Sequence, residues 1–170
     1  MMTAVTKVTF RDWSIAYGKP KRTPAYDEAE ARRRWEAKES FTVLFGDPDH
    51  PDQVMRVELG GDVVVVSWLD EHNREVMEYL FGKPAGIDEL FLERTAIISY
   101  AQPEPSPTDT STHNETYLVR PDGTYQGMRG TRGGDDHENT SGTMDSDQLA
   151  GLHEPSLVFG QWDSIIRRDR

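Results

Sequence analysis

The sequence of 170 residues contains no cysteine. This absence excludes disulfides, thiolate metal ligands and thiol nucleophiles, and it leaves the redox compartment open because proteins of every compartment can lack cysteine. No run of 18 apolar residues occurs, so no transmembrane helix is predicted. The first residues, MMTAVTKVTFRDWSIAYGKPK, lack the apolar region of a signal peptide. We therefore expect a cytoplasmic protein that does not bind a membrane.

Sequence motifs for catalysis are also missing. The chain has no GxSxG elbow, no Walker loop, no GxGxxG and no HExxH, and its glycine-rich stretch at 127–134 precedes no helix start. The five histidines lie in polar segments, where a lone histidine is usually only solvated. We expect no enzyme activity and no cofactor.

Basic residues are few relative to acidic ones. There are 19 lysines and arginines against 30 aspartates and glutamates, which gives a formal net charge of -11. A phosphate backbone would be repelled by such a surface, so direct binding to nucleic acid is not expected. A basic protein would be attracted to it, and charge of this kind raises the rate of association more than the affinity.

The length predicts one domain over residues 1–170. Hydrophobic residues make up 35% of the chain, enough for a thin core. Two stretches rich in polar residues, proline or glycine, QPEPSPTDTSTHNE at 102–115 and GTRGGDDHENTSGTMDSD at 130–147, are predicted to be flexible inserts.

Residues 25–39 are predicted to form a helix. Their acidic residues come early and their basic residues late, in agreement with the helix dipole, and several alanines raise the helix propensity. The apolar face is small, essentially Tyr26, Ala29, the stem of Arg33, and Trp35 or Ala37, so this helix should lie at the periphery of a sheet.

The rest of the chain has the pattern of strands. Four short β-rich runs, FTVLF, QVMRVEL, DVVVVSWL and REVMEYLF, are separated by loops of hairpin length, which predicts a β-meander. The third run is apolar through Val63–Val66 and should be a central strand covered on both faces. A helix start followed by a strand from about Arg94 is expected within 87–101, and SLVFGQWDSII near the C-terminus is strand-like. The fold class is therefore α+β, an antiparallel meander of five to seven strands with the N-terminal helix packed on it.

A late hairpin, ETYLVRPDGTYQGMRG, turns at Asp122-Gly123. Tyr117, Tyr125 and Met128 alternate with polar residues along its two strands. They could form an exposed aromatic patch of the kind that carries binding hot spots.

Two clusters of carboxylates are candidate sites. GDPDHPDQ at 46–53 holds Asp47, Asp49 and Asp52, but it lacks the glycine and the final glutamate of a calcium loop, so a rigid acidic turn is favoured over a metal site. A second cluster, with Asp135, Asp136 and Glu138, is flanked by glycines and has no apolar support to orient metal ligands. Both clusters are predicted to be interaction surfaces for a basic protein.

Residues 41–73, FTVLFGDPDHPDQVMRVELGGDVVVVSWLDEHN, resemble the central hairpin of bacterial immunity proteins of the Imm1 type. The match consists of a strand ending in Phe45, an acidic loop with prolines, an amphipathic strand, a Gly-Gly-Asp turn at 60–62 and an apolar strand through Trp68. The resemblance implies an immunity or antitoxin protein that neutralises a toxin domain by occluding its site. Two alternatives remain open: a structural subunit of a phage or another assembly, and a metal-dependent enzyme or sensor.

Overall fold

The computed structural model describes residues 7–105 and 112–169. Within these ranges it has two α-helices, α1 (Glu28–Glu36) and α2 (Ser146–Ala150), and two single-turn 3-10 helices at Ile15–Tyr17 and Leu59–Gly61. The strands are β1 (Val8–Phe10), β2 (Trp13–Ser14), β3 (Lys19–Pro20), β4 (Phe41–Gly46), β5 (Pro51–Glu58), β6 (Val63–Leu69), β7 (Glu75–Gly82), β8 (Glu89–Tyr100), β9 (Thr112–Val119), β10 (Thr124–Thr131), β11 (Glu138–Thr143) and β12 (His153–Pro155).

Ten of these strands form one antiparallel sheet in the order β1-β4-β5-β6-β7-β8-β9-β10-β11, with β12 paired to the start of β8. From β4 to β11 each strand is hydrogen-bonded to the next one in the chain, so the predicted meander is confirmed. The predicted α+β class is likewise confirmed, but the sheet has more strands than the five to seven expected. The short pair β2-β3 forms a separate two-stranded sheet.

The main core lies on one face of β4–β7. Met55, Val57, Val64 and Val66 are fully buried there. Helix α1 and the C-terminal segment 157–166 cover this face, the latter with Leu157, Phe159, Trp162, Ile165 and Ile166. Rings from both covers meet, since Trp35 lies 6.4 Å from Trp162 between ring centroids.

A second, smaller cluster lies on the opposite face. Trp13, Leu44 and Val54 are buried together, with Ile15 and Leu69 packed against them. The segment that holds β2, β3 and the first 3-10 helix therefore covers the other side of β4–β6. Strand β6 is accordingly buried on both faces from Val64 to Trp68, as its continuous apolar run predicted.

Helix α1 is shorter than predicted. Asp27 caps its start, where its side chain accepts a hydrogen bond from the backbone N–H of Glu30 at 2.8 Å, and Ala37 caps its end. The predicted apolar face was wrong in part, because Ala31 is the fully buried residue whereas Ala29 and Arg33 are exposed. Arg33 instead bonds Glu30 and Glu39.

Two assignments in the second half of the chain are corrected. Residues 89–93 continue β8 and form no helix, since they pair with the end of β7 and with β12. The C-terminal segment does not continue as a strand: apart from a single bridge between Val158 and Gln161 it consists of turns, and Gly160 at φ 87° reverses the chain. This reversal lets Trp162 and Ile165 both face the core.

The two predicted flexible inserts contain regular structure. Residues 112–115 belong to β9, 130 and 131 to β10, and 138–143 form β11, while α2 begins at Ser146. Residues 106–111 of the first insert lie outside the described residues. Local composition missed these strands because their hydrogen bonds come from neighbouring strands and need no apolar side chains.

Among the residues that the structure describes, no helix is long and apolar enough to cross a membrane.

Candidate protein-binding surface

Strands β9, β10 and β11, residues 112–143, extend the sheet beyond the part that α1 and the C-terminal segment cover; we call them the wing. The turn between β9 and β10 is closed at Asp122, whose Oδ1 accepts hydrogen bonds from the N–H and the hydroxyl of Thr124 at 2.9 and 2.6 Å. Both bonds hold the pKa of Asp122 below its ordinary value. Gly123 follows at φ 86°, a conformation that suits glycine, so the predicted Asp-Gly turn is confirmed.

The tyrosines of the wing lie over glycines of the adjacent strands. Tyr117 pairs with Gly127 and Tyr125 with Gly142. A Cβ atom on Gly127 or on Gly142 would stand 2.9 Å from the ring of its tyrosine. The predicted site residues Tyr117 and Tyr125 therefore help to shape the wing as well as to present aromatic surface.

Apolar side chains are exposed on both faces of the wing and of β8 beside it. Ile97 and Tyr117 are 41% and 36% exposed on the face that bears the main core, and Leu118 and Met128 are 43% and 54% exposed on the other face. Among residues 113–143, Val119 is the only side chain beyond glycine that is buried. The predicted single patch is therefore wrong, because Met128 lies on the face opposite to Tyr117 and Tyr125.

The two acidic clusters lie at the same end of the sheet. In an antiparallel meander, alternate connections share an end, and here these are 47–50, 70–74, 132–137 and the connection from β8 to β9, of which the structure describes 101–105. Two side chains join neighbouring loops: Asn73 Nδ2 donates to the carbonyls of Asp49 and Gly18, and the Arg74 guanidinium donates to those of Gln102 and Pro103. The described residues of these loops carry seven carboxylates and two arginines, so we call this end the acidic end.

Two of the predicted site aspartates close turns. Asp47 Oδ1 accepts hydrogen bonds from the backbone N–H groups of Asp49 and His50 at 2.8 and 3.1 Å, and Asp136 accepts from the N–H and the hydroxyl of Thr131. These bonds hold the pKa of both carboxyl groups below its ordinary value. The motif at 46–53 thus contains a turn at 47–50, as the sequence favoured.

The remaining predicted acids differ in their surroundings. Glu138 lies opposite Arg129 on β10 and accepts a hydrogen bond from its Nε at 2.6 Å. Asp49, Asp52 and Asp135 are exposed. These three leave their charge open to an incoming partner.

The two clusters are not brought into contact. Six strand spacings of about 4.8 Å separate the loop at 47–50 from the loop at 132–137, roughly 29 Å along the sheet edge. In the described part of the chain no group of three or more histidine, aspartate or glutamate side chains is placed to hold a metal ion. The acidic end is a broad charged rim and not a converging site.

A cavity of about 940 Å3 lies between the first 3-10 helix, the loop at 72–75 and the ends of β8 and β9. Glu75 on its wall is largely buried, and burial raises the pKa of this carboxyl although it accepts a hydrogen bond from Ser67 Oγ at 2.5 Å. Arg74 on the same wall is held by Asp70 and stacks on Tyr100. Each of these two side chains is thus held by a neighbour of its own, and both stabilise the wall.

Three parts of this surface were not predicted from the sequence. Ile97 and Leu118 were not identified, although the run of Ile97 and Ile98 in a strand must send one side chain to each face. Strand β11 was also missed, and the signal that could have found it is the threonines at 140 and 143 in a stretch without proline.

The chain matches no model of a known protein family, and no curated protein and no solved structure matches it either. The resemblance of residues 41–73 to immunity proteins therefore stays a prediction.

Proposed function

We propose that this protein is a protein-binding module whose partner is basic, and that it acts in the cytoplasm as an immunity or antitoxin protein that occludes the site of a toxin. The observation that carries the proposal is the wing. A ten-stranded sheet extends past its own core and leaves two pairs of apolar side chains exposed, Ile97 with Tyr117 on one face and Leu118 with Met128 on the other. Exposed apolar groups that lie together and are bordered by polar ones mark protein interaction sites.

Charge supports a basic partner. The net charge is -11, and the acidic end borders the wing through the turn at 132–137. A basic partner would be steered toward this rim by long-range attraction, and the apolar contacts of the wing would then hold it. Binding of this kind weakens with salt, because screening shortens the reach of the attraction.

The role as an immunity protein comes from the resemblance of residues 41–73 and from the same two features. An inhibitor of a nucleic-acid-acting toxin meets a basic active site, and an acidic protein with an apolar surface is complementary to it.

The test is retention of proteins from the source cell on the immobilised chain at low salt. We expect a basic protein to be retained, and to be released as the salt concentration rises. The variant with Tyr117→Ser and Met128→Ser should lose it, whereas Val158→Ser, which alters an apolar side chain 52% exposed on the C-terminal segment, should keep it. Retention of the same proteins by the wing variant, or of no basic protein at all, would contradict the proposal.

A structural subunit is the second candidate, and the outer side of β11, with which no strand of the described residues pairs, favours it, because sheets join in assemblies through such edges. Light scattering separates the two candidates. A monomer of 19.3 kDa at high concentration excludes an obligate assembly of identical chains.

A further inference from the structure

Strand β11 is an open edge of the sheet. Its six residues are all exposed, and no described strand pairs with its outer side. Proteins usually protect such an edge with proline, a bulge, several charges or a very short strand. Here there is no proline, the register with β10 is continuous, and the one charge, Glu138, is paired with Arg129. The opposite edge, β1, has only three residues.

The hydrogen-bonding pattern shows which backbone groups face outward. The N–H of Met144 donates to the carbonyl of Gly123 at 2.9 Å, so this pair is hydrogen-bonded, and the bonded pairs then alternate along β10 and β11. Thr140 and Gly142 are thereby bonded to β10. The N–H and C=O groups of Asn139, Ser141 and Thr143 point away from the sheet, ready to receive another strand.

Acidic residues flank the edge at both ends. Asp135 and Asp136 precede β11, and Asp145 and Asp147 follow it at the start of α2. A second copy of the chain paired antiparallel about Ser141 would bring the first two aspartates of one copy close to the last two of the other, which is repulsive. A strand from a partner protein with lysine or arginine at both ends would instead place a positive charge beside each of these two pairs of aspartates.

We propose that β11 is a docking edge to which a partner protein adds an extended segment, basic at both ends, as an antiparallel strand. This inference rests on the proposed function and names the form of the partner's contact. Backbone hydrogen bonds to Asn139, Ser141 and Thr143 supply the affinity, and the flanking aspartates select a basic segment.

The experiment uses a synthetic peptide of about ten residues, long enough to cover β11 and both flanks, with Lys-Arg at each end and alternating threonine and valine between them. Binding is followed by fluorescence anisotropy, and the site is located by amide hydrogen exchange measured by NMR. We expect binding that weakens with salt, with slower exchange of the amides of Asn139, Ser141 and Thr143.

Two variants of the protein and two altered peptides isolate the edge. Ser141→Pro removes one outward N–H and leaves the bonds to β10 in place, so affinity should fall about tenfold or more, while Ser141→Ala should bind as the wild type does. A peptide methylated on alternate backbone nitrogens should bind the wild-type protein as weakly as the unmethylated peptide binds Ser141→Pro. This control keeps the test valid if Ser141→Pro fails to fold. A peptide with glutamates in place of its basic ends should not bind.

The outcomes separate the two proposals. Absence of binding, or binding unchanged by N-methylation, would overturn strand addition. Protection at Ile97 and Tyr117 in place of the edge amides would overturn it too, yet it would agree with a partner held by the faces of the wing. Twice the monomer mass in light scattering, lost in Ser141→Pro, would make a second copy the occupant and overturn the basic segment.

Discussion

The ring of Tyr117 lies against the backbone of Gly127, its register partner on the next strand, so closely that a Cβ on Gly127 would stand 2.9 Å from Tyr117 Cε1. The same Cβ would stand 2.5 Å from Thr140 Oγ1 on β11. The absence of a side chain at one position thus allows three strands to pack, and it fixes where the ring of Tyr117 sits in the wing.

Gly127→Ala should destabilise the wing by about 1–3 kcal/mol, because the added methyl group displaces the Tyr117 ring or the Thr140 hydroxyl. In the background of Tyr117→Ala the same change should cost less, since alanine is preferred over glycine in a strand where space exists. Amide exchange of β9 and β10 measures the local opening free energy in all four proteins of the cycle. Equal costs in both backgrounds would show that the ring does not occupy this space.

Trp162→Ala should lower the free energy of unfolding by about 3–5 kcal/mol, the usual cost of removing a buried large aromatic side chain. Trp162 is 6% exposed and packs against the rings of Phe159 and Trp35. Urea unfolding followed by circular dichroism gives the value. Val158→Ala, four residues earlier and 52% exposed, is the control and should stay within about 0.5 kcal/mol of the wild type. A similar loss of unfolding free energy in both variants would show that the C-terminal segment does not pack in the core.

Glu75→Gln should stabilise the protein at neutral pH. Burial raises the pKa of the Glu75 carboxyl above its ordinary value of 4.5, so the folded state binds this proton more tightly than the unfolded state does. Stability therefore falls as the pH rises from 4.5 toward the folded pKa, and the uncharged glutamine removes that loss. The advantage of Glu75→Gln over the wild type should grow over this pH range in urea unfolding, whereas Glu71→Gln on the exposed turn should show no such trend. A difference in unfolding free energy between Glu75→Gln and the wild type that stays the same at every pH would contradict the burial of the charged form.

Asp47→Ala should destabilise the turn at 47–50, whereas Asp49→Ala should not, because the Asp47 carboxylate accepts two backbone hydrogen bonds and the Asp49 side chain is exposed. Since these bonds hold the pKa of Asp47 below its ordinary value of 3.8, its contribution is present above that pH and is lost as the pH falls through the folded pKa. Thermal unfolding at pH 7 and at low pH measures this. Asp49→Ala should instead slow association with a basic partner at low salt, which stopped-flow mixing would detect.

The strands predicted to within two residues of their observed bounds were those whose pattern was local. The runs at 41–45, 53–59, 62–69 and 74–81 alternate or stay apolar over a full strand and are separated by turns, so period and turn chemistry sufficed. The late hairpin was found in the same way from Asp122-Gly123. Strand β11 and the start of β9 have no such pattern, because their backbone bonds come from neighbours and their side chains are polar.

The candidate surface was predicted in its parts but not in its arrangement. Residue types identified the exposed tyrosines and the two acidic clusters, and the preference for a turn at 46–53 agrees with the bonds made by Asp47. Which face each residue occupies depends on register, and register is a long-range property. Met128 and Tyr117 therefore could not be separated in advance.

The sequence by itself determined the meander from β4 to β7, the buried central strand β6 and the excess of negative charge, because periodicity, turn residues and charge are read from neighbouring positions. Only the tertiary structure decided that the C-terminal segment covers the core, that the acidic loops share one end of the sheet about 29 Å apart, and that β11 is an edge. Each of these depends on which distant segments pair or pack, and that choice is made by the whole chain as it buries its apolar surface.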